Sequence, residues 1–155
     1  LDQLSLEIRV FRTKEKAVQN FINQHFQGFQ HDRPLLTPHC DCTMRRRIDH
    51  RKLIDGTLLA IETDENQHKS YDEMDDEMRY DDLFMGSHSG KWIYIRFNPD
   101  KFKNSRGRRL NPSLETRLET LKKEINKQMD RIAQGENTEL IERIYLYYDG
   151  YDNCK

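Results

Sequence analysis

Apolar and polar positions alternate along this chain in a few clear blocks. From about Lys14 to Phe26, residues Ala17, Val18, Phe21, Ile22 and Phe26 recur at helical spacing, with Thr13 placed to cap the helix and Gly28 to close it. The stretch from Gln30 to Thr43 has no period and carries Pro34 and Pro38, so it reads as irregular. Two β-prone runs follow, Ile48 to Ile54 and Thr57 to Thr63, joined by Asp55-Gly56, a strong hairpin signal. Tyr71 to Met85 reads as a surface helix, Lys91 to Phe97 as a strand, and Asp100 to Leu110 as a basic loop. Asn111 and Pro112 open a long helix through Leu114, Leu118, Leu121, Ile125, Met129 and Ile132, which Gln134-Gly135 ends. Leu140 to Tyr148 is a last strand.

The predicted order is therefore α-β-β-α-β-α-β. Strands alternating with helices define an α/β fold with a mixed central β-sheet flanked by helices. The 155 residues suit one domain. Its expected core spans 13–100, with a C-terminal helix and strand over 111–149. Because the chain opens on Leu1 rather than Met, it is expected to be part of a longer chain.

Composition narrows the function classes. Only 35% of residues are hydrophobic, 34% are charged, and the mean hydropathy is −1.01. A membrane span needs about 20 consecutive apolar residues, and none is present. The three cysteines, Cys40, Cys42 and Cys154, are too few for a disulfide scaffold. A reducing, intracellular setting, cytoplasmic or nuclear, is expected. His39, Cys40 and Cys42 do not have the spacing of common zinc sites, and free thiols on a loop are the simpler reading. Lys plus Arg is 26 and Asp plus Glu is 27, a balance that argues against a general polyanion binder. The charges are nonetheless segregated. Seven acids lie between Asp72 and Asp82 with Arg79 as the sole base, which by itself reads as a solvated helix face. Bases gather at Arg45, Arg46, Arg47, Arg51 and Lys52, and again at Lys101, Lys103, Arg106, Arg108 and Arg109. Either basic group could track a phosphate backbone or stand in solvent. Tyr145, Tyr147, Tyr148 and Tyr151 read as sheet packing rather than base stacking.

The hairpin locates candidate chemistry. With Asp55-Gly56 as a two-residue turn, opposed residues sum to 111, so Leu53 faces Leu58 and Asp49 faces Glu62. Alternation puts Asp64 on the face of Glu62. Three carboxylates crowded together repel, and a divalent cation relieves them. An oxygen-only donor set suits magnesium, manganese or calcium. Asp55 competes with Asp49 as the first aspartate, but it has a turn to make.

The Asp…Glu-x-Asp pattern, with the run IETDENQHKSYDEMDDEMRYDDLF and the strand end WIYIRFNPDKF, resembles a family of nuclease-like domains from giant viruses and some protists. That family is similar to very-short-patch-repair and related homing endonucleases of the PD-(D/E)XK superfamily. The resemblance covers about 13–149. It implies a restriction-endonuclease-like sandwich and a Mg²⁺- or Mn²⁺-dependent endonuclease that hydrolyses phosphodiester bonds in DNA. It further implies Asp49, Glu62 and Asp64 as metal ligands, with Gln67, His68 and Glu15 beside them. Arg79 and Lys69 would face the substrate together with the basic groups. The resemblance fails at one position: the lysine expected two residues after Glu62 is Asp64. His68 or Lys69 would then serve the proton transfer that lysine assists. A nuclease fold that has lost catalysis and binds nucleic acid or protein is the rival reading. An acidic patch that docks a basic partner is a second rival. A second copy of the chain or further domains of a longer chain are candidate partners.

Overall fold

The structure, a computed structural model, describes residues 3–34, 47–68 and 91–152. It is an α/β fold with a mixed five-stranded sheet and two helices among the described residues. The elements are α1 (Gln3–His25), β1 (Gln30–Pro34), β2 (Arg47–Ile54), β3 (Thr57–Thr63), a 3₁₀ turn (Glu65–His68), β4 (Lys91–Phe97), β5 (Phe102–Lys103), β6 (Arg109–Leu110), α2 (Leu114–Ala133) and β7 (Ile141–Leu146). The sheet order is β1-β2-β3-β4-β7. The first three strands are antiparallel, and β4 and β7 add in parallel to β3.

The hairpin forms with the expected register, from Ile54↔Thr57 and Leu53↔Leu58 to His50↔Ile61. Its turn puts Asp55 at φ 47 and Gly56 at φ 81. Two successive positive φ values twist the chain as the flanking strands require, and Asp-Gly tolerates them. Each strand of the parallel half sends alternate side chains to two apolar clusters. Leu59, Ile61, Ile93, Ile95, Phe97 and Leu146 pack with Val18 and Ile22 of α1 and Leu121 and Ile125 of α2. Leu58, Ala60, Trp92 and Tyr94 form the second cluster on the other face, with Ile48. A strand buried on both faces reads as a continuous apolar run, as TLLAIET and KWIYIRF do.

Four expectations change. Gln30–Pro34 is an edge strand, although its polar sequence shows no period; main-chain bonding to β2 makes it one. Helix α1 begins at Gln3, so Thr13 lies inside it rather than at its cap. The cap of α2 is Ser113, whose side chain accepts from the Thr116 amide, rather than Asn111. The basic loop contains a small antiparallel pair, β5 with β6. The predicted helix Tyr71 to Met85 lies outside the described residues. No helix among the described residues is long and apolar enough to cross a membrane.

Candidate carboxylate site

The β2–β3 ladder stops at His50↔Ile61, one pair before Asp49 and Glu62. Residues two apart on a strand should share a face. Ile48 nevertheless joins the second cluster while His50 opposes Ile61 of the first. The simple alternation is therefore broken between Ile48 and His50. This leaves the Asp49 carboxylate at the end of the ladder, where it accepts from the Thr63 amide at 2.9 Å. From there it senses acids on α1, on β3 and just beyond the end of β3.

Burial, then the nearby charges of Glu62 and Glu15 and more weakly Asp64, push the Asp49 carboxyl up to about 8, against the opposing Thr63 hydrogen bond. Glu62 is buried and Asp64 is fully buried. Glu15, on α1, also faces Glu65. Burial and Asp100 lift Glu65 to about 7, partly offset by Lys14. Lys14 is itself ion-paired with Asp100. Beside these groups, at the carboxyl end of β4, an open cleft of about 640 Å³ is bounded by Lys14, Asp100, Lys101 and the first residues of α2. Ligands of open α/β sheets commonly bind outside the carboxyl ends of the strands.

Asp64 has a different setting from Asp49. The Arg96 guanidinium donates Nε–H to its Oδ2 at 2.5 Å, and the Tyr148 hydroxyl donates to the same oxygen. Arg96 is 3% exposed, so this is an interior ion pair. Arg96 is also the register partner of Glu62 on β4. A cation thus stands against the acidic pair from the neighbouring strand. An arginine inside the apolar run KWIYIRF must find a carboxylate, and that was the signal for it in the sequence. Tyr148, a residue without such a signal, reaches Asp64 across 84 positions.

Gln67 sits at φ 57 in the 3₁₀ turn, and its amide closes a two-way clasp. It donates to Asp149 Oδ1 at 3.0 Å and accepts from the Asp149 amide at 2.7 Å. His68 ends that turn, directly after the acidic strand. Asn98, buried, donates its side-chain amide to the carbonyls of Tyr147 and Asp100 and thereby ends β4. Under it, Arg117 is fully buried and donates to the carbonyls of Asn98, Asp100 and Pro112 and to Asn111. It fixes the rim of the cleft.

Arg47 is the first residue of β2, and Arg51 lies 3.4 Å from Gln30 on β1. Lys101, Lys103, Arg106, Arg108 and Arg109 have exposed side chains. Arg45, Arg46, Lys69, Arg79, His39, Cys40, Cys42 and Cys154 lie outside the described residues.

A second polar cluster was not foreseen. His31 on β1 and His50 on β2 approach Nδ1 to Nδ1 at 2.7 Å, and His31 Nε2 meets Asn23 Oδ1 at 2.7 Å. An amide oxygen only accepts, so His31 Nε2 donates; neutral His31 then accepts at Nδ1 and His50 donates. Burial first, and His31 second, push His50 down to about 3.

Among the described residues, no three His, Cys, Asp or Glu side chains converge into a metal cage. Magnesium does not require one. It is commonly held by one or two carboxylates, with water and substrate phosphate completing the shell. Asp49 and Glu62 fit that donor set, whereas Asp64 is already engaged by Arg96 and Tyr148. No family model, curated protein or solved structure matches the chain.

Proposed function

We propose that this protein is a metal-dependent DNA endonuclease, with Asp49 and Glu62 holding Mg²⁺ or Mn²⁺ and Glu15 beside them. The observation that carries this reading is the half-buried Asp49 carboxyl close to the buried Glu62. Burial and repulsion hold a proton on Asp49 at neutral pH, a costly arrangement that a divalent cation would relieve. The antiparallel hairpin continued by parallel strands is compatible with a restriction-endonuclease-like sandwich. Bases support a polyanionic partner: Lys101 bounds the cleft, and Lys103, Arg106, Arg108 and Arg109 are exposed on the segment that follows it.

Hydrolysis of a phosphodiester needs a nucleophilic water, charge stabilisation on the phosphoryl group and a proton for the leaving oxygen. A bound Mg²⁺ would supply charge stabilisation and a more acidic water. Asp49 and Glu62 would bind it, and Glu15 would orient water by accepting a hydrogen bond. His68, next after the acidic strand, would relay a proton. Arg96 holds Asp64 in place and offsets its charge. A reducing intracellular setting, cytoplasmic or nuclear, is proposed with this activity.

A plasmid assay tests the reading. Supercoiled DNA should be nicked with Mg²⁺ or Mn²⁺ and not in EDTA, and both Asp49→Asn and Glu62→Gln should abolish nicking. Activity that persists in both variants removes the site assignment. The second reading, a nuclease fold that only binds, is favoured by one observation: the position of the expected lysine is Asp64, tied to Arg96 and Tyr148. Calorimetric metal binding without nicking would select it.

A further inference from the structure

Four tyrosines cluster at the end of the chain, and three of them are accounted for inside the fold. Tyr147 is 1% exposed and packs edge-on against Phe97 and Phe102. Tyr151 packs against Tyr147 and Phe102. Tyr148 gives its hydroxyl to Asp64. Tyr145 differs: it is 44% exposed on the edge strand β7.

We propose that Tyr145 is a stacking platform for an unpaired base of the nucleic-acid strand that enters the carboxylate site. The inference rests on the nuclease reading and sharpens its substrate class to single-stranded or locally opened DNA.

Register carries the argument first. Glu62 partners Arg96, and Arg96 partners Tyr145, across three parallel strands. Register partners point to the same face, so the three side chains form one row. Strands lie about 4.8 Å apart, which puts Tyr145 about 10 Å from Glu62 along that row. Contact carries it second. Tyr145 meets Tyr148 with ring centroids 5.0 Å apart and planes at 72°. A T-shaped contact takes at most one face of either ring. Tyr148 is pinned to Asp64, so the platform is braced against the acidic site rather than loose on the surface. Chemistry carries it third. A tyrosine face stacks on any base, but a base inside a duplex already has neighbours on both faces. Arg143, two residues earlier on the same face of β7, is also exposed and adds a cation for the adjoining phosphate.

The test uses single-stranded and blunt duplex DNA carrying a fluorescent adenine analogue at successive positions. Binding is measured in Ca²⁺, and cleavage of the same DNA in Mg²⁺. Wild type and Tyr145→Phe should quench the analogue at one position of the single strand. Tyr145→Ala should lose that quenching and weaken single-strand binding roughly 5- to 100-fold, with little change for duplex. Leu140→Ala, an exposed apolar control just before β7, should leave both unchanged. The proposal is overturned if no position is quenched, if no DNA binds, or if Tyr145→Ala binds single strands as wild type does. Quenching without any cleavage would instead reject the nuclease reading alone. Cleavage lost in Glu62→Gln but unaltered in Tyr145→Ala would reject the platform alone.

Discussion

The metal-free protein should lose stability as pH rises through neutrality, and Asp49→Asn should prevent it. Asp49 shifts from 3.8 to about 8 in the folded state. The fold therefore keeps a proton that the unfolded chain releases. The stability this provides is complete below pH 3.8 and is lost as pH rises through about 8, at about 1.4 kcal/mol per pH unit. His50 acts in the opposite sense, since its folded value falls from 6.5 to about 3. Its contribution is present above pH 6.5 and lost on acidification toward 3. Between pH 4 and 6.5 the slopes of Asp49 and His50 offset each other, while Glu65, raised to about 7, adds a loss that ends near that pH. From pH 7 to about 8 Asp49 acts without either, and the loss is about 1.4 kcal/mol. For a domain of this size that is roughly 3–6 °C in melting temperature. Thermal and urea unfolding in EDTA across this interval would measure it. Asp49→Asn cannot titrate, so its curve should be flat there, and saturating Mg²⁺ should flatten the wild-type curve. A wild type as stable in EDTA at pH 8 as at pH 7, or a variant that falls as steeply, would refute the reasoning.

Three further outcomes follow from the same contacts. Arg96→Met should destabilise by about 3–5 kcal/mol, because it leaves Asp64 buried without its ion-pair partner; urea unfolding with an unchanged slope would show it. Gln67→Ala should cost about 1 kcal/mol and speed hydrogen exchange at the Asp149 amide, which the Gln67 side chain protects. His50→Leu should shift acid unfolding to lower pH, since a group held neutral well below 6.5 is removed; a pH titration followed by circular dichroism would record the midpoint.

How much of this was legible varies by element. The Asp55-Gly56 turn fixed the register of β2 against β3, because only a primed turn accepts that pair of positive φ values. That register holds as far as His50↔Ile61; the expected Asp49↔Glu62 pair is not part of the ladder. The apolar period of α2 and the β-branched and aromatic run of β4 were equally readable. β1 was not, because an edge strand held by main-chain bonds needs no side-chain period. The early start of α1 was missed because Leu4, Leu6, Ile8 and Val10 alternate with polar residues, a period of two that masks the helical one. The partners of Asp64 and Gln67 come from 84 and 82 positions away, a separation that local patterns do not encode. The pairing of His31 with His50 depended on β1, so it was lost with that strand.

The missing lysine takes on a different meaning once the neighbours of Asp64 are known. A lysine two residues after Glu62 would place one positive charge among the acids. This chain places a carboxylate there and brings Arg96 to it from β4. Asp64 and Arg96 cancel, so the position contributes no net charge to the cluster. Asp49, with Glu62 and Glu15 close by, is largely shielded from water. Its charge is relieved by a proton, which is why Asp49 retains one up to about pH 8, and a bound cation would relieve it likewise. The two compete for the same carboxylate. Metal affinity should therefore rise with pH as the proton leaves, and each cation bound near neutrality should displace a proton. The near balance of 26 bases against 27 acids hides this local gathering of carboxylates, because the exposed bases of 101–109 lie elsewhere in the sequence. Neutrality of the whole chain and a crowding of acids at one site are compatible, and only the crowding bears on chemistry.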